Sequence, residues 1–218
     1  PLYPASRKAE MEGLKIDNAL TETPYYTQVE IYERGVSWNW RMLMNRRGDF
    51  LARVPQFLAR AASRTEEKFA VSLYMDSTGP NTTFFSNTNK NLVNTTNGAS
   101  SNNPAMGVTG LKDALKVMYG QVDSGGDPII ITGIVLVVPP LLSTDADEVV
   151  KAQQLAIVPA TSAAGTRIVT PPWVNRFKPV TNWYHPVVAS ADSNKHTTWF
   201  LFADPSDSRP GLEVTFLT

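Results

Sequence analysis

Residues 54–75 repeat their apolar and small side chains with a helical period, and this run constrains the chain more than any other. Phe57, Leu58, Ala61, Ala62, Thr65, Phe69, Ser72 and Leu73 recur at spacings of three and four, which gathers them along one stripe of an α-helix. Pro55 suits the first helical position, because its missing N–H is one that a helix start leaves unpaired anyway. About 21 residues at 1.5 Å each predict a rod of roughly 30 Å, ended by the breakers Ser77, Gly79 and Pro80. Leu58, Ala61, Thr65 and Phe69 are the expected buried stripe.

The pattern on either side is different. Residues 25–36 carry Tyr, Val and Ile at strand-like density, with Val29 and Ile31 in one alternation phase. Residues 14–20 alternate Leu14, Ile16, Asn18 and Leu20 against Lys15, Asp17 and Ala19. A long hairpin turning near residues 21–24 would pair the two runs, with too little core to be stable alone. Residues 77–104 are rich in Asn, Thr, Ser and Gly, with Lys90 as the only charge after Asp76. They read as a long, partly ordered surface loop, anchored by Phe84, Phe85, Leu92 and Val93.

A second helix is expected over 109–122, with Leu111, Ala114, Leu115, Met118 and Val122 on one face. A buried strand follows over 129–138, stopped by Pro139 and Pro140. Ser143 or Thr144 can cap a third helix whose first turn holds Asp145, Asp147 and Glu148, the sign that the helix dipole favours. Residues 167–169, 197–203 and 211–217 are strand-like. Helices and strands mix without regular alternation, so the fold class is α+β.

Composition removes whole classes of chemistry. The chain has no cysteine, so disulfide frameworks, thiolate metal sites and cysteine nucleophiles are excluded. Its 20 Lys and Arg balance 20 Asp and Glu, which argues against a protein that coats nucleic acid or a membrane surface. The longest apolar run, 129–138, is too short to cross a bilayer as a helix, and no secretory signal is visible. Gly107 and Gly110, or Gly125 and Gly126, lack the spacing of a phosphate loop. His185 and His196 are the only histidines, too few for a zinc site without carboxylates, and read as surface or interface residues. Asp123 and Asp127, or the acidic trio before Val149, could ligate a hard cation, yet neither has calcium-loop spacing. One charge feature stands out: Arg41, Arg46, Arg47, Arg53, Arg60, Arg64 and Lys68 face only Asp49, Glu66 and Glu67. Arg53, Arg60 and Arg64 fall on nearly one helix face, expected opposite much of the apolar stripe. It is a solvated or subunit-pairing face, or else a nucleic-acid face.

The order of these features resembles the major capsid (major head) proteins of tailed bacteriophages, and most of all the Mu-like major head subunit family. Residues 26–35 with Ser37, Trp38, Asn45, Arg46, Gly48, Phe50, Pro55, Ala61, Ala62, Arg64 and Thr65 resemble the returning strand of an extended loop and the start of a spine helix. Gly79, Phe84, Phe85, Ser86, Asn91 and Leu92 resemble the passage after that helix, and 111–118, 128–131 and 136–140 its later helix and strand. Trp199 to Pro205, Pro210, Glu213 and Phe216 resemble the closing strand. Where that family has an acidic pair after Asn, this chain has Arg46 and Arg47.

The resemblance implies the Hong Kong phage type of capsid fold. Its parts would be an N-terminal arm and extended loop (1–36), a peripheral domain with the spine helix (37–80), an axial domain with the surface loop (81–204) and a return strand (205–218). The usual C-terminal segment would then be missing, as in a fragment or a chain processed at both ends. It implies a structural subunit, not an enzyme, with no cofactor and no metal, that self-assembles into the icosahedral head around a double-stranded DNA genome. The partners implied are further copies in hexamers and pentamers, together with scaffold, portal and decoration proteins. Packaged DNA would be touched by weak non-specific contacts, and no membrane is involved. The chain would be assembled in the host cytoplasm and reside in the virion. Tyr26, Val29, Ile31, Trp38, Arg46, Arg47, Arg60 and Arg64 are the implied subunit-interface candidates. The rival readings are an encapsulin-like nanocompartment shell and a metal-dependent hydrolase built on Asp123, Asp127 and a histidine.

Overall fold

The computed structural model describes residues 31–44, 48–123, 125–152, 155–157, 167–169 and 176–206. A short helix α1 (Trp40–Met44) precedes the long helix α2 (Gly48–Ser72). The long helix therefore starts ahead of Pro55, which sits inside it and not at its first turn. Proline removes one ladder hydrogen bond there, and the apolar period runs back through Val54 and Leu51 to outweigh that loss. Past Ser72 the chain makes a tight hairpin, β1 (Met75–Asp76) with β2 (Gly79–Pro80). Asp76 accepts hydrogen bonds from the Thr78 hydroxyl at 2.6 Å and its N–H at 2.8 Å, which hold its carboxyl below the usual range.

The centre is a small sheet in the order β6-β3-β7. Strand β3 (Ile134–Val138) runs parallel to β6 (Phe177–Thr181) and antiparallel to β7 (Phe200–Ala203). Both faces are covered, which is why β3 reads as unbroken Ile-Val-Leu-Val-Val. Ile134, Leu136 and Val138 face one core with Leu111, Ala146, Val150 and Phe177, supplied by helices α3 (Val108–Tyr119) and α4 (Ser143–Lys151). Val137 faces the other core, with Val71, Tyr74 and Met75 from the end of α2, Ala189 after α5 (His185–Val188), and Phe200 and Phe202 from β7. A separate antiparallel pair joins β4 (Leu155–Ile157) to β5 (Arg167–Val169), the latter where the sequence placed a strand.

Several expectations change. The strand expected over 129–138 begins only at Ile134, because β6 and β7 both end their pairing there, and Ile130 is 85 % exposed. Gly133 marks the boundary: a Cβ on it would sit 2.7 Å from the Cβ of Asp204, so no larger residue fits. The segment 31–36 forms no strand and is exposed throughout. No ladder partner accompanies it among the described residues, and an unpaired strand does not hold in water. Neither Ser143 nor Thr144 caps α4. Leu142 precedes it in helical geometry, continuing a 3-10 turn (Pro140–Leu142), and the Ser143 hydroxyl donates back to the Pro140 carbonyl. Helix α3 stops at Tyr119, leaving Val122 outside in a bridge to Pro128. The hairpin arm at 14–24 and the strand at 211–217 lie outside the described residues.

The polar stretch is ordered by hydrogen bonds in place of apolar burial. Asn89 and Asn91 amides donate to the Phe84 carbonyl, at 2.9 and 2.8 Å. Asn94, buried, caps the short turn Thr95–Asn97 by accepting the Asn97 N–H at 3.0 Å and donates to Asn87 at 2.5 Å. Phe85 anchors the stretch, its ring 5.1 Å from that of Phe200. The far end is pinned by Asp113 of α3, 1 % exposed, which accepts the Ser100 N–H and hydroxyl and the Lys116 ammonium. Burial pushes the Asp113 carboxyl up, yet these donors outweigh it and hold it below the usual range.

Candidate interaction surface

The long helix enters the core only at its last turn. Val71 is its first buried residue; from 51 to 70 every described side chain is half-buried or exposed. The predicted stripe is present, since Leu58, Ala61, Thr65 and Phe69 are half-buried at spacings of three and four, with Leu51 and Val54 extending the row towards the start of the helix. It is only half covered, and segment 31–36 lies along it. There the Tyr32 ring meets Phe69 edge-on at 6.0 Å.

Between this segment and α2 runs a groove of about 550 Å³. Val36, Leu58 and Ala61 give it an apolar floor, and Arg34, Arg60, Arg64 and Lys68 line it. The cations thus border the apolar stripe and do not lie opposite it. Phe57, Arg60, Arg64 and Lys68 form a row at spacings of three, four and four, one residue back from the Leu58, Ala61, Thr65 row and so turned by only about 100°. That spacing was visible in the sequence. Arg34 was not, because it comes from the separate segment, and Arg53 is not part of the groove.

Of the other sequence candidates, Ile31 is 83 % and Trp38 54 % exposed. Trp40 and Met44, which sequence reasoning passed over, are exposed beside them. Tyr26, Val29, Arg46 and Arg47 lie outside the described residues. Two indoles in water within one short stretch, with Ile31 and Met44 exposed as well, make this segment a candidate contact surface.

The histidines and acids take other places. His185 is fully buried within the chain's own core, against the expectation of a surface or interface residue. Its Nε2 is 2.9 Å from the Tyr74 hydroxyl, and its ring packs edge-on against Tyr74 and Phe200. His196 is half-buried. Asp123 accepts the N–H groups of Gly125 and Asp127 and closes its own loop, while Asp147 pairs with Lys151 at 2.9 Å. No group of three or more metal-ligating side chains occurs among the described residues, and no described helix is long and apolar enough to cross a membrane.

A family model described as phage capsid protein matches residues 22–218. Neither a curated protein nor a solved structure matches the chain.

Proposed function

The chain belongs to the phage capsid protein family, a structural family of the virion, and from that premise we propose that it is the major shell subunit of a tailed-phage head. The half-covered stripe of α2, in a helix that meets its own core only at one end, carries this reading. An apolar stripe left half open costs stability in a monomer and is covered when copies associate. In this reading α2 is the spine of a Hong Kong phage type of subunit, residues 1–36 are arm and extended loop, and the double-faced sheet belongs to the axial domain. In the same reading it is a member of the Mu-like major head subunit family. Copies join as hexamers and pentamers into an icosahedral shell around double-stranded DNA, with Ile31, Trp38, Arg60 and Arg64 at subunit contacts.

DNA driven into a head must slide along the inner wall, so the wall should not grip phosphates. Each phosphate neutralised steepens the fall of log affinity with log salt by about 0.9. Duplex binding should therefore be weak, with a slope no steeper than about 2. Light scattering of the purified chain at rising concentration tests the proposal. Masses at five- or sixfold multiples or above are expected, and monomer alone at every concentration contradicts it.

A further inference from the structure

We propose that the basic groove beside α2 receives the corner of a neighbouring copy formed by Leu141, Asp145 and Glu148, a pairing that rests on the shell-subunit reading above. The chain carries equal numbers of cations and anions, so a surface that gathers cations leaves anions in excess elsewhere on the same molecule. Arg34, Arg60, Arg64 and Lys68 line the groove, and no ion pair engages them among the described residues.

Most described aspartates are already occupied within their own loops. Asp76, Asp123, Asp192 and Asp204 each accept from neighbouring backbone, and Asp113 holds Ser100 and Lys116. Asp145 and Glu148 are exposed and have no partner among the described residues; Glu33, Glu66 and Glu67 share this, but they stand on the two segments that form the groove itself and so belong to its own side of a contact. With Leu141, 70 % exposed, they form a row at spacings of four and three along the 3-10 turn and α4. The opposite side of α4 fixes this row outward, since Ala146 and Val150 are buried in the core.

The two rows match. One presents an apolar side chain followed by two acids over about 10 Å; the other presents Phe57 followed by Arg60 and Arg64 over the same length. Apolar meets apolar and acid meets cation along one line, which is what fixes register at a protein interface. Groove and corner are different patches, so the contact is head-to-tail and generates a ring where the rotation closes.

Charge reversal tests this. Arg60→Glu with Arg64→Glu, and separately Asp145→Lys with Glu148→Lys, should each lower the assembled fraction at least tenfold without changing the subunit's melting temperature. Combining all four should restore at least half of it. If the combined chain assembles no better than either pair while the parent assembles, this pairing is wrong and the shell reading stands. A parent that never assembles removes both. Intact assembly with loss of duplex DNA binding in the groove pair makes the groove a nucleic-acid face and overturns the proposal. Because the chain has no cysteine, Arg64→Cys with Glu148→Cys gives a second readout should a reversed chain fail to fold. Oxidation of particles should link copies into a ladder, and particles without a ladder overturn the pairing.

Discussion

His185 is the acid-sensitive point of the subunit. Burial lowers its pKa from 6.5 to about 4, and its Nδ1 is buried with no hydrogen-bond partner among the described residues. The folded state therefore keeps the ring neutral while the unfolded chain takes up a proton below about pH 6.5. The stability that comes with the neutral ring is fully present above pH 6.5 and is lost as pH falls towards 4. The expected loss is about 3 kcal/mol over that window. Denaturant unfolding from pH 7 to pH 4 checks it: the difference between the native chain and His185→Phe should change by about that amount, and an unchanging difference would place the ring in water. Gly110 makes a second local demand. A Cβ there would lie 2.3 Å from the Ala105 carbonyl oxygen, so Gly110→Ala should destabilise by about 1 to 3 kcal/mol through a forced shift of that backbone, measurable as a lower melting temperature.

Helix α2 and the sheet separate what stabilises one subunit from what waits for a neighbour. Leu136 is fully buried in β3, so Leu136→Ala should cost about 2 to 5 kcal/mol. Phe69 is half-buried on α2, so Phe69→Ala should cost only about 1 to 2 kcal/mol in the isolated subunit. Equal losses would mean that the stripe is already buried. Asn94→Ala removes the cap of its turn and an amide bond to Asn87, and should cost about 1 to 2 kcal/mol while exposing residues 87–103 to protease. The apolar period of α2 and part of the buried face of α3, Leu111 and Ala114, were legible in the sequence because helix neighbours are only three and four residues apart, whereas buried Val117 was missed and Val122 lies outside the helix. Strand β6 was not legible: Lys178 and Pro179 hide it, and it forms because β3 offers a ladder and Phe177 a buried face. The Asn-rich stretch was legible as a surface loop with apolar anchors such as Phe85, while the source of its order was not, since side-chain amides bonding to backbone are not displayed by composition. The cage of His185 joins residues 111 positions apart, a distance over which no local pattern carries information. For the candidate surface, the Arg60 and Arg64 row could be read in advance, while the groove needed Arg34 and Val36 from another segment.

At the scale of the molecule, the chain divides its chemistry between a double-faced sheet that holds the buried core and a long helix, with segment 31–44, whose apolar and cationic side chains stay largely exposed. A chain neutral in total yet locally basic carries, elsewhere on its own surface, the anions that could match that patch on another copy. Membership of a phage capsid family is what makes further copies of the chain the partner proposed for that surface. The claim that identical copies close the open stripe of α2 is tested most directly by electron microscopy of the concentrated, purified chain. The account predicts rings of five or six copies or closed shells of uniform diameter, lost on Arg60→Glu with Arg64→Glu. Fields of single subunits at every concentration, in a chain that melts cooperatively, would contradict it.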